Sequence, residues 1–279
     1  MTLDMDLFCD RIEYEGSRDV SLQTMTGIHR SMGLAVPYEN LDVFLGTPVD
    51  LDIKRIFEKI VRNGRGGWCY EMNGLLGAVL SQLGFDVTRI LGGMYRKDRG
   101  NDAFGNHLVL RVDLDEPWIA DLGIGDAILE PVRLKPGEIH QNSYRFRLEA
   151  LENAEWRFFN REGATPSDFD FVDRPADEDR LQTVCNQLQS DPESVFRANL
   201  ICQLMEESRV HLLVCRTFKV LGEGASTRIL SSEDELLSTL ENVLKITLPN
   251  VDGLWDKVCE RHEVFMEIMA SGDKTLDDL

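Results

Sequence analysis

No stretch of this 279-residue sequence approaches the apolar length of a membrane span, and its start, Met1 to Glu15, mixes acids with apolar residues where a leader would set basic residues before apolar ones. The expectation is a soluble protein of the cytoplasm with no membrane partner. Cysteine never occurs as C-x-x-C: Cys9, Cys69, Cys185, Cys202, Cys215 and Cys259 are scattered, and in a reducing compartment they are free thiols. A chain this long buries enough core to fold without a disulfide or a metal, and no metal is expected. Positive charge is scarce, with 30 Lys+Arg against 49 Asp+Glu and a formal net charge of -19. That balance excludes a phosphate-backbone partner, so nucleic acid is set aside, and it requires any anionic cofactor to find a locally electropositive site. There is no internal repeat and no Ser/Pro-rich tract. With 43% hydrophobic and 8% aromatic residues the chain reads as ordered and globular, leaving open one large domain or two to three smaller ones.

The first third reads as helical. Asp52 is placed to cap a helix over Ile53 to Arg62, with Asn63-Gly64 as its stop. Before it stands P-Y-E-N-L-D-V, Pro37 to Val43, a turn passing into an apolar run. After it comes R-G-G-W-C-Y-E-M-N-G, from Arg65, in a segment where Leu75, Leu76, Val79, Leu80 and Leu83 recur at helical spacing and Gly84 ends the run. Cys69 therefore belongs to the first turn of a helix. From Phe85 to about Phe171 the pattern changes to short strands: Val87 to Leu91, His107 to Leu114, Trp118 to Leu122, Tyr144 to Leu148 and Trp156 to Asn160. Their close spacing predicts a compact antiparallel sheet or barrel. The last third predicts a strand pair, His211 to Lys219 with Ser226 to Leu230, a helix from Ser232 to Leu244, and a frayed tail from Ser271.

A thiol at a helix N-terminus meets unpaired backbone N–H groups and the positive end of the helix dipole, both of which favour thiolate. Gly66 and Gly67 just upstream suit a sharp turn with room beside the sulfur. Of the five histidines, His29, His107, His140, His211 and His262, only His107 has a setting that matches. It opens the run H-L-V-L-R-V-D-L, and the next apolar run, W-I-A-D-L-G-I-G, carries Asp121. If a turn centred near Leu114 closes these runs into a hairpin, His107 and Asp121 fall opposite each other on one face. A carboxylate there would fix the imidazole tautomer and stabilise the imidazolium formed when His107 takes the thiol proton.

In these residues the chain resembles the arylamine N-acetyltransferases, whose signatures include P-[FY]-E-N-L, R-G-G-x-C-x-E-x-N, H-x-x-L-x-V and a D-V-G-F-G-like turn. Here they read Pro37 to Leu41, Arg65 to Asn73, His107 to Val112, and Asp121 to Gly125, with weaker similarity at Asp191 to Phe196. The resemblance implies an α+β fold in three parts: a helical bundle over 1–84 bearing the cysteine, an antiparallel β-barrel over 85–186 bearing the His and Asp, and an α/β lid over 187–279. It also implies acetyl-coenzyme A as cosubstrate and a small arylamine or hydrazine as acceptor. Carried over position by position, Cys69 is the acetyl acceptor, His107 the base and Asp121 the orienting acid. Gly123, Ile124 and Gly125 belong to a loop near the cofactor phosphates, and Tyr38 and Phe196 line the acceptor pocket. Ile124 stands where the family commonly has an aromatic, and Gln187 and Asp191 stand where it often has an aromatic and a His.

The chemistry read from these residues is double displacement through an acetyl-cysteine. Alternatives left open at this level are a related amide synthase, a transglutaminase- or protease-like thiol enzyme with the same triad, and a non-catalytic binding protein with a vestigial site. Oligomeric state has no signature in the sequence.

Overall fold

A computed structural model describes residues 2–142, 144–248 and 252–271. The tail expected to fray lies outside the described residues except for Ser271, which closes the last helix. The helical part comprises α1 (Met5–Arg11), α2 (Leu22–Ala35), α3 (Leu41–Leu45), α4 (Ile53–Phe57) and α5 (Cys69–Leu83), interrupted by the two-residue strand β1 (Tyr38–Glu39). Its caps are the polar residues that the pattern offers. Ser21 accepts from Thr24 N–H at 3.2 Å, and Asp52 accepts from Lys54 N–H at 2.7 Å. After α4 the chain widens into a π turn over Glu58–Arg62, so the expected helix is present but not regular. Gly84 closes α5 in the left-handed region, where a side chain would be strained.

The centre is an eight-stranded antiparallel sheet built from β2 (Asp86–Met94), β3 (His107–Asp113), β4 (Pro117–Ala120), β5 (Val132–Arg133), β6 (Gly137–Gln141), β7 (Tyr144–Ala150), β8 (Glu155–Phe159) and β9 (Asp168–Pro175). Its strand order is β5-β4-β3-β2-β9-β8-β7-β6, curled around Val109, Ile119, Phe146, Phe158, Phe169 and Phe171. The short helix α6 (Arg96–Arg99) lies in the β2–β3 connection. Strand β9 was not signalled by its sequence because acids, which are disfavoured in strands, alternate with its phenylalanines. One of them, Asp170, is buried between Arg96 and Arg157 at 2.9 and 2.6 Å.

The C-terminal part holds α7 (Glu178–Ser190), α8 (Val195–Ala198), β10 (Ile201–Met205), β11 (Arg209–Val214), β12 (Thr217–Gly222), β13 (Ser226–Ile229), α9 (Glu233–Ser238) and α10 (Leu254–Ser271). The strand expected over His211 to Lys219 is two strands. They reverse at Cys215 and Arg216, with Val214 facing Thr217, and the apolar run is continuous because both arms pack on one core. The sheet order is β1-β10-β11-β12-β13, so Tyr38 and Glu39 of the helical part form its edge. The α+β class with a bundle, a curled antiparallel sheet and an α/β lid is the one expected. Among the described residues no helix is long and apolar enough to cross a membrane.

Behind α5 lies an ion network in which Glu39 and Glu71 are buried and Asp42, Lys59 and Arg65 half-buried. Lys59 bonds both oxygens of Glu71 at 2.9 and 2.8 Å and pairs with Asp42 at 2.7 Å. Arg65 reaches Glu39 at 2.8 Å and Asp42 at 3.1 Å. Three carboxylates face two cations, which leaves one negative charge in excess, and burial of Glu71 pushes its carboxyl up to about 7 against the pull of Lys59. An acid whose folded pKa exceeds its unfolded value of about 4.3 is held protonated more tightly by the folded chain. The stability it adds is full below that unfolded value and is lost as pH rises through the folded one. Glu71→Gln, a permanently neutral mimic, escapes the loss. Its melting temperature relative to wild type is expected to rise between about pH 5 and about pH 8; a difference flat across that window would contradict the raised pKa.

Candidate active site

Cys69 is the first residue of α5, so its N–H and that of Tyr70 lie ahead of the helix's own hydrogen-bond ladder. The approach to it is set by close packing. A Cβ on Gly66 would sit 2.0 Å from the carbonyl oxygen of Pro37, and one on Gly67 would sit 2.7 Å from Glu71 Cβ. Neither glycine has a positive φ or lies in a turn or bend, so the sharp turn expected of them is absent. They let the strand-like segment Pro37–Glu39 lie against the leader of α5, with Glu39 N–H donating to Gly67 O at 3.0 Å. The thiol is 2% exposed and its Sγ is 3.9 Å from the Asn106 carbonyl oxygen. Burial pushes the thiol well up, and the hydrogen bonds from backbone Leu108 and Tyr70 only partly oppose it. Here desolvation outweighs the helix N-terminus, and a thiolate needs a neighbouring base to take the proton and hold the compensating charge.

His107 and Asp121 meet as the hairpin argument requires, but through a different register. Asp113 faces Pro117 and Leu110 faces Ala120, which centres the turn one residue later than expected. Continued, that register sets Asp121 across from Val109, two residues away from His107. A two-residue offset keeps both side chains on one face, where a one-residue slip would have separated them. Asp121 Oδ2 accepts from His107 Nε2 at 2.7 Å, both groups being buried. His107 Nδ1 is also buried and has no hydrogen-bond partner. The other carboxylate oxygen, Oδ1, accepts from Asn73 Nδ2 at 2.7 Å and from Gly123 N–H at 2.8 Å. Asn73 also donates to Leu108 O at 2.6 Å and accepts from Leu122 N–H at 2.8 Å. Asn73 had no assigned role in the sequence; its position one helical turn after Cys69, on the same face, is the signal for it.

A cleft of about 430 Å3 is walled by Tyr38, Phe196, Gly123, Ile124, Leu188 and Asn106, among others. Four residues of the expected site are thus on one wall or another. Gly123 and Asn106 both touch Cys69, and Phe196 packs edge-on to Trp68, the residue before it, at 5.3 Å. Gly125 is set back from this cleft, in the left-handed region against Tyr38 and Gln203. Neither Gln187 nor Asp191 lines it, and Asp191 instead terminates α7. Gln203, which the sequence pattern did not mark, contributes to the wall from β10 with a buried, unpartnered Oε1. Among the described residues the charged members of the lining are Asp98 and Arg99, so the cation that the lining offers an anionic cofactor is Arg99. Among the described residues no group of His, Cys, Asp and Glu is arranged to hold a metal ion.

A family model described as N-acetyltransferase matches residues 21–252. The chain is similar to arylamine N-acetyltransferase 1 of Bos taurus, 32% identical over 88% of this chain and 95% of that protein. It is similar also to arylamine N-acetyltransferase of Mycolicibacterium smegmatis, 30% identical over 91% of this chain and 95% of that one. Among solved structures, the arylamine N-acetyltransferase of Mycobacterium abscessus superposes with a TM-score of 0.81 at 30% identity, covering 93% of this chain and 94% of that chain. That of Mycobacterium marinum in complex with CoA gives 0.82 at 25% identity, covering 92% and 98%.

Gly123 is the tightest point of the site, since a Cβ there would lie 2.7 Å from Cys69 Cβ and 2.8 Å from Asn73 Nδ2. Gly123→Ala is therefore expected to lower acyl-transfer turnover by about tenfold or more, because the loop or the nucleophile must move. Gly74→Ala, on the same helix with its nearest neighbour at 3.6 Å, is the tolerated control. Equal turnover in the two variants would remove the steric argument.

Proposed function

The chain belongs to the arylamine N-acetyltransferase family, and from that premise we propose that it carries an acetyl group from acetyl-coenzyme A to the nitrogen of an arylamine, hydrazine or arylhydroxylamine by way of an acetyl-Cys69 intermediate. The observation that carries the reading is the buried His107–Asp121 pair, held at 2.7 Å, next in sequence to Asn106, whose carbonyl oxygen lies 3.9 Å from the Cys69 Sγ at the start of a helix. With Nε2–H given to Asp121, Nδ1 keeps the lone pair and is the nitrogen free to take the Cys69 proton. Asp121 fixes that tautomer and stabilises the imidazolium that results.

The Cys69 thiolate attacks the thioester carbonyl, forming a carbon–sulfur bond. Backbone N–H groups at the start of α5 are set to receive the developing oxyanion. As the bond to coenzyme A breaks, its sulfur recovers the proton from His107. In the second half an amine attacks the acetyl-cysteine, its proton passes to His107, and the cysteine sulfur leaves as thiolate. Weakly basic amines enter as the free base at neutral pH, so one histidine serves both halves. Tyr38, Ile124 and Phe196 offer an apolar wall to an aryl ring, and the cleft volume lies within the range of roughly 300–1,000 Å3 usual for small-molecule sites. Arg99 is the lining residue suited to a cofactor phosphate.

Incubated with acetyl-coenzyme A and no amine, the protein is expected to accumulate one acetyl group, placed on the Cys69 peptide by mass analysis and discharged by adding an arylamine. His107→Ala should prevent the build-up. Acetylation confined to lysines, or absent while turnover proceeds, would replace this mechanism with direct transfer in a ternary complex.

Cys69→Ser is expected to abolish turnover while leaving the melting temperature close to wild type, because a hydroxyl is a far weaker nucleophile at neutral pH and the swap is nearly isosteric. Steady-state rates within about tenfold of wild type would rule out Cys69 as nucleophile.

A further inference from the structure

Asp121 stands where β4 has already ended. The ladder between β3 and β4 closes at Ala120, so the Asp121 N–H has no strand partner. That N–H is received by His29, from the middle of α2, at Nε2 and 3.1 Å, while His29 Nδ1 lies 2.9 Å from the carbonyl oxygen of Leu129. The ring is fully buried. A peptide N–H only donates and a carbonyl only accepts, so the two partners dictate a neutral ring with the proton on Nδ1 and the lone pair on Nε2. Burial pushes His29 down to about 4, with the contacts to Leu129 and Asp121 opposing it, which keeps the ring neutral at physiological pH.

We propose that His29 is a positioning residue which fastens both ends of the loop from Asp121 to Leu129, and so sets the orienting carboxylate and the glycine wall of the cleft together. The loop leaves β4 at Asp121, passes Gly123 and Gly125, and returns to the same imidazole at Leu129. Two further contacts dock α2 on it. A Cβ on Gly33, one turn after His29, would meet Leu122 Cδ2 at 3.0 Å, and Arg30 pairs with Glu130 at 3.2 Å. The helix is a firm post because Met25, Ile28 and Met32 are fully buried. His29 touches none of the reacting atoms and acts only through Asp121 and the loop. The inference therefore rests on the orienting role proposed for Asp121.

His29→Phe keeps a ring of similar volume and removes both hydrogen bonds; His29→Gln keeps one donor and one acceptor. Single-turnover acetylation of Cys69 by acetyl-coenzyme A, followed across pH beside thermal melting, is the measurement. His29→Phe is expected to acetylate between about tenfold and a hundredfold more slowly, as misplacing a reacting group does. Its pH–rate profile should also be displaced, since Asp121 is the group that meets the His107 ring at Nε2. His29→Gln should recover most of the rate. A wild-type rate and profile in His29→Phe overturns the proposal. So does a slowed enzyme with an unmoved profile that Gln does not restore, which is the behaviour of a packing residue. Asp121→Asn run in parallel separates the two levels. If it acetylates at the wild-type rate the orienting role itself falls, and if it is crippled while His29→Phe is not, only the part given to His29 falls. Should the variants fail to fold, imidazole nitrogen NMR of the wild-type protein decides. A neutral Nδ1–H ring at about pH 6 supports the proposal, and an imidazolium or an Nε2–H ring overturns it.

Discussion

A carboxylate buried as deeply as Asp121 is tolerable only when its oxygens are met by donors. The donors come from three places: His107 on β3, Asn73 on α5 and the Gly123 N–H in the loop after β4. Satisfying one charge therefore fixes the placement of the nucleophile's helix, the strand of the base and the wall of the cleft. Asn73 joins them most closely, because its amide spans Asp121, Leu108 and Leu122 with every hydrogen bond directed. A side chain that met the carboxylate but left one backbone group unpaired would lose the desolvation cost of that group, about 1–3 kcal/mol.

Motif residues around the cysteine that do no chemistry serve the same placement from behind. Glu39, Arg65 and Glu71 belong to the ion network under α5, and Glu71 also accepts from the Trp68 N–H at 3.3 Å, at the helix start. The network holds β1 against the α5 leader, and β1 in turn pairs with β10. Tyr38 reaches the cleft wall through this chain of contacts. The lid is thus tied to the nucleophile through backbone pairing as well as through the side-chain packing of Phe196 on Trp68.

Much of this was legible in the sequence, and the remainder was hidden for identifiable reasons. The Cys69 helix, its Gly84 stop and the Asp52 cap follow from local chemistry, and the structure places them where the pattern does. The hairpin face of His107 and Asp121 was legible because side-chain alternation survives a two-residue change of register, although the turn itself sits at a different residue. Strands β5, β6 and β10 were not legible, since two residues, a run with a single isoleucine, and an apolar run beside a helix carry no period that decides between states. The reversal at Cys215 and Arg216 was hidden by the lack of a turn glycine. The packing duty of Gly66 and the link from His29 to Asp121 depend on contacts across about thirty to about ninety residues of sequence, which no local pattern encodes.

On the proposed mechanism the cleft also explains why transfer is divided in time. Gly123 and Asn106 line the cleft and touch Cys69, while Tyr38, Ile124 and Phe196 give it an apolar side; on this mechanism donor and acceptor would approach the thiol from the same cleft. On that mechanism a pantetheine arm and an aryl ring would each enter the cavity of about 430 Å3 to approach the sulfur, and would compete for it. Storing the acetyl group on Cys69 removes that competition. Coenzyme A would then depart before the amine arrives, and the formal net charge of -19, with Arg99 the single cation among the described residues of the lining, would favour departure of the polyanion once the thioester bond is broken. On the proposed mechanism, the negative charge that slows long-range capture of the donor would assist its release as a thiol.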